Sequence, residues 1–228
     1  MIAGKSVGVI IPALNEEASI GIVVDSLSRS FDRIIVVDNG STDQTAAIAQ
    51  GKGATVVRET FRGYGAACLR GMDAFRASPP DIILFIDADA SDHPDDALQV
   101  ATLVANGSCC FCIGSRVRGN HEAGSLTPLQ QFGNWLSTTL IRLLWRVNYS
   151  DLGPLRAIKW EVLESFSMKD RTWGWTIEMQ IKAAKQHVSL IEIPVRYRVR
   201  IGTSKISGTI LGSIKAGVKI IATIIRYV

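Results

Sequence analysis

The 228-residue chain lacks several features that would assign it to common protein classes. No stretch reaches the roughly 18 uncharged apolar residues that a membrane-spanning helix needs. The three histidines do not cluster, so a zinc site is unsupported. No Gly-x-Gly-x-x-Gly follows the first predicted strand, which argues against a dinucleotide-dependent dehydrogenase. The N-terminus shows no signal-peptide pattern, so we expect a protein that is not secreted.

Cysteine is also scarce, and three of the four cysteines fall within the apolar run 109–112. Neighbouring residues of a strand point to opposite faces, so these thiols are poor partners for a disulfide or a metal ion. We therefore expect reduced, buried thiols, which favours a cytoplasmic location.

The overall composition, 47% hydrophobic and 20% charged, is typical of a single large globular domain. Charge is divided unevenly along the chain. Residues 1–140 hold 10 Lys/Arg and 15 Asp/Glu, whereas residues 141–228 hold 15 and 6. This asymmetry favours a cation site in the first half and a surface for phosphate or anionic lipid in the second. Ordinary solvated surface charge is the alternative. Basic and aromatic residues are not interleaved, so nucleic-acid binding is not indicated.

Short apolar runs alternate with helical patterns through the first half of the chain. Strands are predicted at 7–11, 33–37, 54–57, 82–86 and 109–113, with helices at 16–27, after 42, at 63–75 and from Pro94. Such alternation predicts an α/β fold with a mainly parallel, doubly wound sheet, whose ligands bind at the carboxyl ends of the strands. The second half predicts helices at 129–147, 177–186 and 210–228, and strands at 155–158 and 188–193. Pro194 confines the last strand to an edge or an end.

The motif with the most chemistry is Asp87-Ala88-Asp89, which follows the buried strand 82–86. The spacing aims both carboxylates toward the same side, where they suit a hard cation such as Mg²⁺ or Mn²⁺. A cation there would bridge the phosphates of a nucleotide diphosphate and neutralise the leaving group. As a bare pattern the triplet is more often a turn, and its position after a buried strand is what favours a site.

Two further motifs follow strands. In Pro12-Ala13-Leu14-Asn15-Glu16, the proline is expected to stop the first strand, and Asn15 either caps the next helix or lines a site. In the segment 36–43, Asp38 ends the second strand and either meets a nucleobase or ribose or belongs to a plain turn. The three motifs in this order, each after a strand, are much more specific than any one of them.

With these three motifs, the chain resembles the family 2 glycosyltransferases with the GT-A fold. Further segments that carry the resemblance are Gly63-Tyr64-Gly65, Gly114-Ser115-Arg116, 151–157, Glu192-Ile193-Pro194-Val195 and 200–205. The resemblance covers nearly the whole chain, and the branch it most resembles contains the dolichol-phosphate mannosyl- and glucosyltransferases. It implies a three-layer sandwich and an inverting transfer from a UDP- or GDP-linked sugar to a polyprenyl phosphate or similar membrane-proximal acceptor.

The resemblance also implies roles for individual residues. Asp87, Asp89 and Ser91 would hold the metal, Arg116 would meet phosphate, and Arg200 would close over the substrates with a mobile loop. The residues implied to bind substrate are Pro12, Asn15, Glu16, Asp38, Gly63, Gly65, Asp87, Ala88, Ser204 and Lys205.

Two departures from the family concern the acceptor. A basic residue usual in the polyprenyl-phosphate enzymes is replaced within the segment 130–134, and a Gly-Phe-Arg motif is replaced by Gly153-Pro154-Leu155-Arg156. A hydroxyl acceptor would need a general base, for which Asp151 and Glu178 are candidates. The alternative roles are a loop anchor or partner of Arg156 for Asp151, and a solvated helix residue for Glu178. A soluble hydroxyl acceptor or a non-catalytic nucleotide-binding subunit therefore remain competing hypotheses.

We expect one catalytic domain at 1–208, with a nucleotide-sugar half at 1–115 and an acceptor half at 116–208. Residues 209–228 form a separate amphipathic helix with Lys215, Lys219 and Arg226 along it. That helix either lies on the inner face of a membrane with its basic residues at anionic headgroups, or docks on its own domain.

Overall fold

A seven-stranded sheet forms the centre of the computed structural model. The structure describes residues 1–202 and 210–228, and the side chains of the last helix are described from residue 217 onward. The strands are β1 (Val7–Ala13), β2 (Arg33–Asp38), β3 (Thr55–Arg58), β4 (Ile82–Phe85), β5 (Phe111–Ser115), β6 (Arg156–Lys159) and β7 (Leu190–Pro194). Their order is β3-β2-β1-β4-β6-β5-β7. Only β6 runs antiparallel to its neighbours among these strands. The predicted α/β fold with a mainly parallel sheet is confirmed, and so is the edge position of β7.

Helices cover both faces of the sheet. They are α1 (Ile20–Leu27), α2 (Thr45–Gly51), α3 (Tyr64–Phe75), α4 (Pro94–Ala105), α5 (Pro128–Trp145), α6 (Trp160–Ser165), α7 (Trp175–Lys185) and α8 (Ile210–Tyr227). Successive residues of β1 point to opposite faces. Val9 and Ile11 pack in the layer of α1 and α4, whereas Ile10 packs in the layer of α3, α5 and α7. Because both faces of the sheet are covered, the strands are apolar on both sides.

Several boundaries differ from the prediction. Pro12 does not stop β1 but lies within it, paired in register with Val37, and the strand ends at Ala13. The first helix begins at Ile20 rather than at residue 16, and its N-cap is Ser19, so Asn15 is not the cap. The short helix α6 was not predicted. Asn15 has a left-handed backbone, with φ of 52°, which a helix cap would not show.

The carboxyl ends of the three central parallel strands meet at one edge of the sheet. In register, Ala13 of β1 pairs with Asp38 of β2, and Ile10 of β1 pairs with Phe85 of β4. The segments that follow β1, β2 and β4 therefore lie side by side. This topology brings the three motifs together.

The last helix is joined to the body of the protein. Helix α8 packs against α5 and α7, burying Thr223 and Ile224 while Val218 and Ile225 remain exposed. The structure thus gives the helix the docked position that the sequence left as one of two alternatives. Within the described residues, no helix combines the length and apolar character needed to cross a membrane.

Candidate active site

The acid pair lies directly beyond β4, in the turn that leads to α4. Asp89 is 4% exposed, and its Oδ1 accepts hydrogen bonds from the Ser91 amide at 3.0 Å and the Ser91 hydroxyl at 2.6 Å. Ser91 is fully buried, and its hydroxyl donates to Asp89. The geometry therefore places Ser91 to orient Asp89, and its expected role as a metal ligand stays a prediction.

Burial and neighbouring negative charge raise the pKa of two carboxyl groups in this turn, Asp87 and Asp92. Burial and then the neighbouring Asp89 carboxylate raise the pKa of Asp87 well above its usual range. A third acid, Asp92, is 5% exposed, and its pKa is raised by burial and then by Asp87 and Asp89. Sequence reasoning missed Asp92, because a single acid at a helix start resembles an ordinary capping residue.

Arg200 joins two of the predicted site segments. One guanidinium nitrogen, Nη2, donates to Glu16 Oε1 at 2.9 Å, and the other, Nη1, lies 3.4 Å from Asp89 Oδ2. The amide of Ile201 donates to the Asp89 carbonyl at 2.9 Å, which holds this stretch of chain against the acid pair. Arg200 thus lies against Asp89, and its expected closure over the substrates stays a prediction. Ser204 and Lys205 lie outside the described residues.

The motifs after β1 and β2 hold each other in place. Asn15 Oδ1 accepts from the Thr42 amide at 2.8 Å, and the Asn15 amide donates to the Ser41 hydroxyl at 3.0 Å. Asp38 is 1% exposed and accepts from the Ser41 amide at 2.9 Å. Asn15 and Asp38 therefore shape the two loops. The next residue, Asn39, lines a cavity at the ends of β1 and β2, and the sequence analysis missed it.

Gly63 and Gly65 have a packing reason to be glycine. A Cβ at Gly65 would collide with the carbonyl oxygen of Asp170, and one at Gly63 with that of Arg171. The amide of Gly65 donates to the Thr172 carbonyl at 3.1 Å. Gly63 borders the cavity, whereas Gly65 fixes the start of α3 against the loop 170–172, so a substrate-binding role for Gly65 is not supported.

The predicted phosphate ligand Arg116 is clamped by the predicted base Asp151. The Asp151 carboxylate accepts from the amide, Nε and Nη2 of Arg116, each at 2.8 Å, and is completely buried. The Arg116 guanidinium also lies 5.1 Å from the ring centre of Tyr197. This geometry argues against Asp151 as a general base and makes it an anchor, with Arg116 rather than Arg156 as its partner.

The second predicted base is also a structural anchor. Glu178 is 1% exposed and accepts from the Lys169 and Asp170 amides, from the Tyr227 hydroxyl at 2.6 Å, and pairs with Lys182 at 2.7 Å. It is buried, so the alternative of a solvated helix residue was wrong. Both base candidates are therefore occupied by structural bonds.

Two cavities meet at the acid pair. The first, about 440 Å³, runs along the ends of β1 and β2, and we call it the donor cavity because the family resemblance predicts the sugar donor at these strand ends. The second, about 400 Å³, runs between α5 and α8, and we call it the helical cavity. Five residues border both cavities: Tyr64, Asp87, Asp89, Trp173 and Arg200.

Each cavity has a distinct lining. The donor cavity includes the predicted residues Pro12, Glu16, Gly63 and Ala88, together with Asn39, Arg62 and Lys219. The helical cavity has Arg116 and Tyr197 near the acid pair and then a mainly apolar wall that includes Leu129, Phe132, Leu136, Ile220 and Ile221. The sequence did not identify Tyr197 or α8 as parts of the site.

The two tryptophans near α7 differ in role. Trp173 borders both cavities, whereas Trp175 is 1% exposed and packs edge-on against Phe85 with ring centres 5.9 Å apart. Only Trp173 is therefore placed to contact a sugar.

The acid pair fits a divalent cation of the hard class. Among the described residues, no cluster of three His, Cys, Asp or Glu side chains is arranged around one point. Mg²⁺ characteristically takes one or two carboxylates and completes its shell with water and substrate phosphates. The carboxylates of Asp87 and Asp89 supply that number, and the positive Arg200 guanidinium already lies against Asp89.

Comparison with known proteins agrees with this arrangement. The model of glycosyl transferase family 2 matches residues 8–168. An uncharacterized glycosyltransferase of Mycobacterium bovis is 34% identical over 94% of this chain and 96% of its own. A UDP-N-acetylglucosamine–dolichyl-phosphate N-acetylglucosaminyltransferase of Methanococcus voltae is 28% identical over 86% of each chain.

A similar solved structure is glucosyl-3-phosphoglycerate synthase from Mycobacterium tuberculosis in complex with Mn²⁺, UDP-glucose and phosphoglyceric acid. It superposes with a TM-score of 0.78 at 25% identity, covering 99% of this chain and 80% of that one. The neighbour confirms the predicted GT-A fold. The family model covers well over half of the sequence, and the M. bovis relative is aligned along almost its whole length. The chain therefore belongs to glycosyl transferase family 2 and is a glycosyltransferase.

Proposed function

We propose that the protein transfers a sugar from a UDP- or GDP-linked donor to a polyprenyl phosphate or similar lipid-linked anion. The observation that carries this proposal is the meeting of two unlike cavities at the acid pair. Charged side chains, among them Glu16, Arg62 and Lys219, line the donor cavity on one side, and apolar side chains of α5 and α8 line much of the helical cavity on the other. A nucleotide sugar suits the first, and a phosphate with an apolar chain suits the second.

Asp87 and Asp89 would hold Mg²⁺ or Mn²⁺ together with the donor diphosphate, and the ion would neutralise the charge of the leaving group. Ser91 keeps Asp89 in the orientation this requires. Glu16 and Asp89 share Arg200, which is thereby positioned at the junction where sugar passes between the substrates. Trp173 borders the same junction with an aromatic face suited to a sugar ring.

The acceptor side supports a phosphate nucleophile. A hydroxyl acceptor needs a base, but Asp151 and Glu178 are both engaged in structural bonds. A phosphate is already an anion and needs none. Arg116 has five N–H donors, and its side-chain bonds to Asp151 use Nε and Nη2. The phosphate is therefore expected beside Arg116, with its chain along the wall of α5 and α8.

The site of action follows from the acceptor. A lipid acceptor requires the mouth of the helical cavity to reach a membrane surface. On α5, Phe132 lines that cavity and is 56% exposed, and Trp135 lies beside it and is 59% exposed. With all four cysteines free, we propose the cytoplasmic face of the membrane.

A second candidate is transfer to a soluble anionic acceptor. It is favoured by the likeness to glucosyl-3-phosphoglycerate synthase, whose structure contains phosphoglyceric acid. Dolichyl-phosphate transferases are also among the similar proteins, so the two candidates differ in the acceptor that receives the sugar.

The experiment incubates the protein with radiolabelled UDP- and GDP-sugars, Mn²⁺, and either polyprenyl phosphate or 3-phosphoglycerate. Label that enters the organic phase only with polyprenyl phosphate supports the proposal. A labelled water-soluble product with 3-phosphoglycerate supports the second candidate instead. Asp89→Ala serves as the inactive control.

A further inference from the structure

Lys219 on α8 reaches the donor cavity, although its helix lies far along the chain from the nucleotide-binding motifs. It borders that cavity together with Asp87, Trp173 and Arg62. Its side chain is 31% exposed, and its ammonium lies 2.7 Å from Asp170 Oδ2. The sequence left two alternatives for this lysine, membrane headgroups or the protein's own domain, and the structure places it against the domain.

The Asp170 carboxylate that holds Lys219 is itself rigidly placed. Its side chain is 3% exposed, and its Oδ1 accepts from the Thr172 amide at 2.8 Å, the Thr172 hydroxyl at 3.0 Å and the Gly174 amide at 3.2 Å. The loop 170–172 is also bonded to the start of α3. Lys219 is therefore a cation fixed at the wall of the cavity by a residue that does not line it.

The charges around the donor cavity leave a role for this cation. A nucleotide diphosphate brings negative charge beside the carboxylates of Asp87 and Asp89. Of the described basic residues that line the cavity, Arg200 is bonded to Glu16 and lies against Asp89. Arg62 reaches the Gly40 carbonyl at 3.4 Å, on the loop after β2. An ammonium has three donors, and the ion pair with one oxygen of Asp170 uses only part of this capacity.

We propose that Lys219 is a donor-binding residue, which donates a hydrogen bond to the diphosphate of the nucleotide sugar. This inference rests on the proposed function, because it assumes a nucleotide-diphosphate donor in that cavity. It makes α8 part of the catalytic cleft: Lys219 faces the donor, while Ile220 and Ile221 on the same helix line the helical cavity. Helix α8 thus lines both the donor cavity and the helical cavity.

The test must separate binding by Lys219 from its contribution to docking α8. Lys219→Met removes the ammonium and keeps the apolar stem, whereas Tyr227→Phe removes another bond that docks α8, the hydroxyl to Glu178 at 2.6 Å, outside the lining of either cavity. Titration calorimetry with UDP and GDP in the presence of Mn²⁺ identifies the nucleotide that the wild-type protein binds. Each variant is then titrated with that diphosphate and with the corresponding nucleoside.

For Lys219→Met we expect the diphosphate to bind about 10- to 100-fold more weakly, as for loss of one charged hydrogen bond, with nucleoside affinity unchanged. Lys219→Arg should retain most of the affinity, and Tyr227→Phe should match the wild type. Equal diphosphate affinity for Lys219→Met and wild type would overturn the inference. So would an equal loss of diphosphate and nucleoside binding, which indicates a distorted cleft. If the wild type binds neither UDP nor GDP, the proposed function fails as well.

Discussion

Replacing Asp151 by asparagine distinguishes a structural anchor from a general base. The carboxylate receives three bonds of 2.8 Å from Arg116, and the two side chains are 0% and 16% exposed. Breaking a buried pair leaves an uncompensated charge and costs about 3–5 kcal/mol. Because Arg116 keeps some contact with water, we expect a loss of about 3 kcal/mol for Asp151→Asn. For a domain of this size, that loss lowers the melting temperature by roughly 6–12 °C.

Urea and thermal unfolding measure this loss, and a double-mutant cycle assigns it. Arg116→Met combined with Asp151→Leu removes both charges, so its stability should lie within about 1 kcal/mol of the wild type. Asp95→Asn is the matched control, because Asp95 is 78% exposed and forms a surface ion pair with Arg196 at 3.4 Å. Its loss should lower the free energy of unfolding by less than about 1 kcal/mol. Unchanged stability of Asp151→Asn together with a rate loss of about 10²- to 10⁴-fold would refute the anchor and restore the base.

Three further predictions concern other parts of the site. Asp89→Ala should abolish transfer while circular dichroism stays unchanged, because Asp89 lies in the turn between β4 and α4 rather than inside a strand or helix. Full activity would contradict its assignment to the metal. Gly65→Ala should destabilise the protein, because its Cβ meets the Asp170 carbonyl, whereas Gly133→Ala, with open space around it, should be neutral or stabilising by up to about 1 kcal/mol in urea unfolding. Tyr227→Phe should cost about 1–2 kcal/mol through the lost bond to Glu178, and no loss would show that α8 docks without it.

The sheet and the acid pair could be predicted from the sequence because both depend on local pattern. Buried parallel strands appear as continuous apolar runs, and the residue after such a run must lie at the carboxyl edge of the sheet. This placed Asp87 and Asp89 without any knowledge of strand order. Pro12 shows the limit, because it lies inside β1, where a general rule predicted the end of the strand.

Long-range partners could not be read from the sequence. Asp151 and Glu178 looked like free carboxylates because their partners Arg116 and Tyr227 lie 35 and 49 residues away. Likewise, the inward direction of Lys219 depends on which face of α8 packs against α5 and α7. Periodicity defines the apolar face of a helix, but it does not state what that face will contact.

The departure from the family in the segment 130–134 has a structural counterpart that bears on the acceptor. Asn134 is committed to the backbone of the loop before β6, bonding the Ser150 carbonyl at 2.9 Å and the Leu152 amide at 2.8 Å. Positive charge is nevertheless present in the helical cavity, because Arg116 and Arg200 line it beside the acid pair. The missing basic residue on α5 therefore does not argue against a phosphate acceptor. It moves the expected phosphate position away from α5 and toward Arg116, which leaves the apolar side chains of α5 free to contact the rest of the acceptor.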